Sequence, residues 1–277
     1  MSANIENMLN ASPSINKLVW IMSQLRDPNK GCPWDLKQDF KSIVPYTLEE
    51  AFEVAEAIET NDFIELEKEL GDLLFQVVFY ARLGEEQQLF NFDNVLAAIC
   101  EKLIRRHPHV FSDSNFTSEQ QIKANWENEK AKERHAKNKQ LSILADIPNV
   151  LPALTQAAKI QKRCSHVGFD WDNISDVFAK VQEEVDEVEQ ELIADVVNQQ
   201  ALNEEIGDLL FAVVNLARHA KQDPEQLLRA ASRKFTKRFN YIEQHHFDQH
   251  LDIKQSTLAE LEALWLAAKN NEKINSI

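Results

Sequence analysis

The sequence predicts an all-α protein built from two copies of one helical domain, and three observations carry that prediction. Apolar residues recur at helical spacing through most of the 277 residues, while strand-like alternation is scarce. Only five glycines and eight prolines are available for tight turns. The third observation is an internal repeat. Glu49-Glu50-Ala51-Phe52-Glu53, followed by Glu69-Leu70-Gly71-Asp72-Leu73-Leu74-Phe75, returns as Glu183-Glu184-Val185-Asp186-Glu187, followed by Glu205-Ile206-Gly207-Asp208-Leu209-Leu210-Phe211.

Taken in order, residues 1–14 are polar and read as frayed. A helix is expected from Ile15 to about Arg26, with Leu18, Val19, Ile21, Met22 and Leu25 on its apolar side. Residues 27–35 form a loop by their Pro and Gly content. Lys37 to Ile43 is short and amphipathic. Pro45 is expected to break the chain, with Thr47 as N-cap of the EExxE helix and Glu50 as its capping-box partner. The ExxD helix starts at Asn61-Asp62 and runs to about Leu83. A third helix spans Phe92 to Arg106 and ends at His107-Pro108-His109. Thr117-Ser118-Glu119 opens a further helix containing Trp126 and Lys130.

Dense charge from Ala131 to Gln140, followed by Pro148 and Pro152, marks residues 131–152 as a linker. After it the landmarks recur. Gly168-Phe169-Asp170-Trp171-Asp172 echoes Cys32-Pro33-Trp34-Asp35, Lys234-Phe235-Thr236-Lys237-Arg238 echoes Lys102-Leu103-Ile104-Arg105-Arg106, and Trp265-Leu266-Ala267-Ala268-Lys269 echoes Trp126-Glu127-Asn128-Glu129-Lys130. Landmarks in one order imply two domains, 15–130 and 153–270, a duplication rather than a solenoid.

The chain carries 45 acidic against 30 basic residues, a net charge of −15, which disfavours non-specific binding to duplex nucleic acid. Three scattered cysteines without a CxxC fit a reducing compartment. The N-terminus lacks the pattern of a signal peptide, and no apolar run approaches the ~18 residues that would span a bilayer. A cytoplasmic protein away from membranes is expected.

The chemistry lies in the carboxylates. Glu184 and Glu187 share a helix face, as do Glu205 and Asp208, and like charges at that spacing repel. If the two helices pair, all four converge and need a cation to stay ionised. Oxygen ligands without His or Cys suit Mg²⁺ or Mn²⁺ rather than Zn²⁺. A lone EExxE is usually a solvated helix face; here the second helix is so apolar (Ile206, Leu209, Leu210, Val213, Val214, Leu216) that it is expected to be mostly buried, placing Glu205 and Asp208 where charge is costly. The same pattern in the first copy, Glu50, Glu53, Glu69 and Asp72, makes a possible second site. Lys234 and Arg238, four apart, would complement a polyphosphate, and Trp265 either stacks on a base or belongs to the core.

No P-loop or Rossmann glycine pattern occurs. A di-iron bundle would need two Glu-x-x-His motifs, and only Glu243-Gln244-His245-His246 is present, in what reads as a polar loop through His250 with structural or solvated histidines. A non-enzymatic helical module and a nucleotide sensor without turnover remain as alternatives.

With these motifs the chain resembles the two-domain MazG family of nucleoside triphosphate pyrophosphohydrolases. Gly71-Asp72-Leu73-Leu74-Phe75-Gln76-Val77-Val78-Phe79-Tyr80 and Arg105-Arg106-His107-Pro108-His109-Val110-Phe111 carry the likeness further. The resemblance implies Mg²⁺-dependent cleavage of NTPs and dNTPs to NMP and pyrophosphate by a metal-activated water, in a homodimer whose four-helix core is assembled across subunits. It implies that Glu184, Glu187, Glu205 and Asp208 hold the metal, that Lys180, Glu183 and Glu204 line the nucleotide site, that Lys234 and Arg238 grip phosphates, and that Trp265 and Lys269 complete the pocket. Glu183, left over from the metal set, is free to orient or deprotonate the water. Tyr46 stands where the second copy has Lys180, so the second copy is expected to be the catalytic one.

Overall fold

The computed structural model describes residues 8–112, 116, 118–137 and 142–274. They form two compact units, the first ending at Lys132 and the second beginning at Glu133. Regular structure among the described residues is entirely helical, as the apolar spacing predicts. None of these helices is long and apolar enough to cross a membrane.

Unit 1 contains α1 (Ile15–Leu25), α2 (Pro33–Lys37), α3 (Phe40–Thr60), α4 (Phe63–Glu86), α5 (Phe92–Arg106), α6 (Pro108–Phe111) and α7 (Glu119–Lys137), the last running past the division. Residues 8–10 are also helical, and Lys17 Nζ donates to the Leu9 and Ala11 carbonyls at 2.8 and 2.7 Å. Thr117, expected to open α7, lies outside the described residues. The dominant pairing is α3 with α4. Two residues join them: Asn61 takes the left-handed conformation that ends α3, and the Asp62 side chain accepts the Glu65 N–H at 3.0 Å to start α4. So short a connection makes the helices antiparallel neighbours.

The start of α3 differs from expectation. The helix begins at Phe40 and passes through Pro45. Asp39 caps it in a box with Ser42, accepting the Ser42 N–H at 2.8 Å while its own N–H reaches Ser42 Oγ at 2.9 Å. Pro45 removes only one intrahelical bond, and the buried Ile43 anchors the turn before it. Thr47 is therefore inside the helix, its hydroxyl 3.2 Å from the Ile43 carbonyl and 2.9 Å from the Tyr80 hydroxyl.

Met22, Ile43, Val78, Phe79 and Leu83 form the core of unit 1, with Leu18, Phe40, Phe75 and Tyr80 against it. Arg26 locks the end of α1 onto α4, donating through Nε and Nη2 to the Glu86 carboxylate at 3.0 and 2.7 Å, and through Nη1 to the carbonyls of Asp35 and Gln38. The loop between α1 and α2 closes so tightly that a Cβ on Gly31 would sit 2.6 Å from the Asp27 carbonyl oxygen.

Unit 2 contains α8 (Ala153–Ser165), α9 (Ile174–Ile193), α10 (Gln199–His219), α11 (Pro224–Asp248), a 3₁₀ turn (Ile253–Gln255) and α12 (Leu258–Ile274). Asn173, Asn198 and Asp223 cap α9, α10 and α11. α9 pairs with α10, α8 packs on α10 and α11, and α12 lies along α11. His245 and His246 do not sit in a loop. They lie in the last turn of α11, and the buried His246 is held by the Ile242 carbonyl (2.8 Å) and Ser256 Oγ (2.7 Å), as befits a structural histidine.

The expectation that α10 is mostly buried also fails within one chain. Leu202, Ala212, Val214 and Asn215 are buried, but Ile206, Leu210, Phe211 and Val213 are exposed. Unit 2 has too few helices to cover every side of so apolar a helix. Replacing the fully buried Phe79 with Ala should destabilise unit 1 by about 3–5 kcal/mol, read as a lower urea midpoint by tryptophan fluorescence; an unmoved midpoint would show that Phe79 does not hold this core.

Candidate functional site

On α9, Lys180, Glu183, Glu184 and Glu187 follow at steps of three and four residues and so share a face. Packing α9 on α10 brings that face to Glu205. Oxygens of Glu184, Glu187 and Glu205 all lie within 4.8 Å of one another. Glu184 is the buried member, 5% exposed, rather than Glu205, which is half-buried, or Asp208, which is exposed. Lys180 Nζ donates to Glu184 Oε1 at 2.8 Å and to the exposed Glu183 at 2.9 Å. Those two bonds, that to Glu184 foremost, push the Lys180 ammonium well above its ordinary range. Partial burial, then the negative charges of Glu187, Asp208 and Glu184, hold the Glu205 carboxyl above the usual carboxylate range.

Glu184 Oε2 is buried with no hydrogen-bond partner. An orphaned carboxylate oxygen beside two further carboxylates is an anomaly in a protein interior. It is the arrangement a hard divalent cation satisfies, so the residues present fit Mg²⁺ or Mn²⁺. Unit 1 assembles a trio of its own, Glu50, Glu69 and Asp72, within the same 4.8 Å, with Asp72 in it and Glu53, the counterpart of Glu187, exposed. There burial, then Asp72, Glu53 and Glu49, raise the Glu50 carboxyl; burial, then Glu53, raise that of Glu69. At the position of Lys180 unit 1 has Tyr46, whose ring meets Trp34 edge-on at 5.7 Å.

The cationic residues form a separate group on α11 and α12. Arg238 donates through Nε and Nη2 to Glu272 Oε2 at 2.9 and 2.8 Å, and its guanidinium lies 5.5 Å from the Trp265 ring centre. Trp265 also meets Phe235 at 4.9 Å. Lys234 and Lys269 are exposed, and Glu204 is exposed with Gln200 donating to it at 3.1 Å. Among the described residues, no hydrogen bond, ion pair or ring contact joins Lys234, Arg238, Trp265 or Lys269 to the carboxylate trio.

Beside the trio lies a cavity of about 300 Å³ with Lys180, Glu184 and Asp208 in its wall and Trp171, Val177 and Phe211 among its apolar lining. Its rim is braced by Asp170, whose carboxylate takes Arg218 Nη1 at 2.9 Å and lies 2.9 Å from His219 Nε2. Arg218 above all, then His219, depress the Asp170 carboxyl to about 2. The brace was not legible as a site: Asp170 and Arg218 are 48 residues apart, and only the GFDWD echo of the first copy flagged the segment. A depressed carboxyl contributes stability above its unfolded value near 3.8 and loses it as the pH falls toward about 2. Asp170→Asn should accordingly lower the Tm at pH 7 by about 2–4 °C, roughly 1 kcal/mol, with the gap to wild type closing as the pH drops below 4 in thermal melts.

Comparison with known proteins agrees with the repeat. The MazG nucleotide pyrophosphohydrolase domain matches residues 38–111 and again residues 173–243. The nucleoside triphosphate pyrophosphohydrolase of Escherichia coli (strain K12) is 50% identical over 258 residues, covering 93% of this chain and 98% of that protein. The nucleoside triphosphate pyrophosphohydrolase/pyrophosphatase MazG of Thermotoga maritima is 40% identical, covering 96% of this chain and all of that one. The uncharacterized protein YabN of Bacillus subtilis is 42% identical across 91% of this chain, which spans 51% of its length. With the domain matched twice and relatives aligned nearly end to end, the chain belongs to the MazG nucleotide pyrophosphohydrolase family.

Proposed function

We propose that the chain hydrolyses NTPs and dNTPs between the α and β phosphates, giving NMP and pyrophosphate, and that unit 2 performs the reaction with Mg²⁺. The observation that carries this reading is the buried, unpartnered Glu184 Oε2 within the trio of Glu184, Glu187 and Glu205. Glu184, Glu187 and Glu205 would hold the ion, with Asp208 as a fourth ligand facing the same cavity. A divalent cation there neutralises phosphate charge and lowers the pKa of water near the reacting phosphorus.

The chain's own groups divide the remaining work. Lys180 fixes the Glu184 carboxylate through Oε1 and leaves Oε2 for the ion. Glu183, outside the trio and half free of Lys180, orients the attacking water or takes its proton. Glu204 borders the nucleotide site from α10. Arg238, held by Glu272 and stacked near Trp265, presents a pre-set guanidinium that grips phosphate with Lys234 and offsets charge on the leaving pyrophosphate. Trp265 and Lys269 complete that side.

The working form is a homodimer in this reading. The apolar side chains that α9 and α10 leave exposed, Val185 and Leu192 with Ile206, Leu210 and Val213, are the surface a second copy would cover in a shared four-helix core. Unit 1 has the acidic trio but Tyr46 in place of the lysine, which favours a structural or regulatory role for it.

Product analysis with a panel of NTPs and dNTPs tests the reaction. Pyrophosphate and NMP, dependent on Mg²⁺, are expected; orthophosphate and NDP would overturn the reading. Glu187→Gln should lower kcat/KM by roughly 10²–10³, and Glu53→Gln far less; equal losses would refute a catalytic second unit. Glu183→Gln should lower kcat while leaving Mn²⁺ affinity unchanged, measured by calorimetry.

A further inference from the structure

One wall of the cavity in unit 2 comes from a segment with no helix of its own. Between Ser165, which ends α8, and Ile174, which starts α9, the chain is irregular, and its Phe169, Asp170 and Trp171 line the cavity together with Lys180 and Glu184. The first half of the segment is a helix cap. Gly168 takes a φ of +84°, and the Gly168 and Phe169 N–H groups return to the carbonyls of Ser165 and Cys164, both at 3.1 Å. Beyond Phe169, among the described residues, the hydrogen bonds that tie the segment to α10 are all made by Asp170.

That one carboxylate joins three groups. Its Oδ2 accepts from Arg218 Nη1 at 2.9 Å, and its Oδ1 accepts from Arg218 Nη2 and lies 2.9 Å from His219 Nε2. Oδ1 also accepts the Trp171 N–H at 3.0 Å. Arg218 is steadied in turn, donating through Nε to Asn215 Oδ1 at 2.9 Å. A two-pronged guanidinium pair fixes orientation as well as distance. The Asp170 and Arg218 side chains are 23% and 19% exposed, so water competes with the pair only in part. Asp170 therefore ties the backbone at Trp171 to α10.

Unit 1 shows the same segment without that tether. Pro33 stands in place of Asp170, and Arg82, the counterpart of Arg218, turns to Glu85 and Glu86 of its own helix at 3.0 and 2.9 Å. Trp34, the counterpart of Trp171, rests edge-on against Tyr46, the residue at the position of Lys180. Where unit 1 joins these two positions ring to ring, unit 2 keeps both in the wall of one cavity, with Lys180 engaged by Glu183 and Glu184.

We propose that Asp170 is a positioning residue of unit 2: by tying residues 168–173 to α10 it keeps Trp171 from closing over the start of α9, and so keeps the cavity beside the carboxylates open to the nucleoside triphosphate. The proposal rests on the reading of those carboxylates as the triphosphate site. With the tether cut, the segment visits positions that cover the cavity, and the apparent affinity falls in proportion to the fraction of chains left open. The bound state itself is unaltered, so the loss falls on KM and leaves kcat in place.

Hydrogen exchange read by mass spectrometry and steady-state kinetics test this on the full chain in Mg²⁺, with Asp170→Ala and Asp170→Glu. In Asp170→Ala, exchange of residues 169–173 should quicken about tenfold at labelling times too short for the interiors of α9 and α10 to exchange, and KM for ATP should rise about tenfold at unchanged kcat. Asp170→Glu, which keeps the charge, should restore most of both. Unchanged exchange of residues 169–173 in the alanine variant, a fall in kcat at unchanged KM, or a glutamate variant no better than alanine would overturn the assignment. Calorimetry with α,β-methylene ATP separates this from the reading it rests on. If Asp170→Ala weakens the analogue about tenfold and quickens exchange of the segment, while wild type releases no pyrophosphate from any NTP, the positioning role stands and the hydrolytic reading fails.

Discussion

Three carboxylates from two helices, held within 4.8 Å of one another with one of them buried, set the terms for the rest of unit 2. Charges of one sign brought so close raise the free energy of the folded chain unless something offsets them. Part of the offset is internal: Lys180, one turn before Glu184, binds its Oε1. The remainder is left open at Oε2. An arrangement of this kind survives only on rigid supports, and the structure provides them as two long helices with side-chain caps at Asn173 and Asn198 and a third helix, α8, tied to α10 by the Gln161–Phe211 hydrogen bond.

The two units show how one frame carries two balances between packing and chemistry. Unit 1 closes over Met22, Ile43, Val78, Phe79 and Leu83, a continuous core with Arg26 clamping its edge to Glu86. Unit 2 has Val177 and Val214 where unit 1 has Ile43 and Val78, Asn215 where it has Phe79, and a cavity of about 300 Å³. Filling space with an aromatic ring stabilises; leaving it open and lining it with fixed amides makes room for a ligand. Both assemble an acidic trio, from different motif positions: Glu184, Glu187 and Glu205 in unit 2, but Glu50, Glu69 and Asp72, the counterparts of Glu184, Glu205 and Asp208, in unit 1.

The cationic cluster and the carboxylates sit on different helix pairs. Arg238, Trp265 and Glu272 form a preassembled group between α11 and α12, while α9 and α10 carry the acids and, on another face, exposed Leu192, Ile206 and Leu210. Apolar exposure of that extent on the paired helices of the unit is the feature on which the proposed homodimer rests.

Much of this was legible in the sequence because it depends on neighbours three or four residues away. Helical spacing, the repeated EExxE and ExxD pairs, the i, i+4 relation of Lys180 to Glu184 and the Lys180–Tyr46 difference are all properties of a single helix face. Tertiary structure alone decided what depends on distant partners. Glu184, not Glu205 or Asp208, became the buried acid once α9 and α10 had packed. Helix α3 ran through Pro45 because Asp39 and Ser42 cap it and Ile43 is anchored in the core. His246 became a structural residue because Ser256, ten positions on, returns to meet it. The pairing of Gln161 with the Phe211 carbonyl, 50 residues away, and of Asp170 with Arg218, 48 away, created the cavity's polar wall. Spacing along a helix is written in the chain; which groups lose water, and which find a partner when they do, is settled only when separate helices pack.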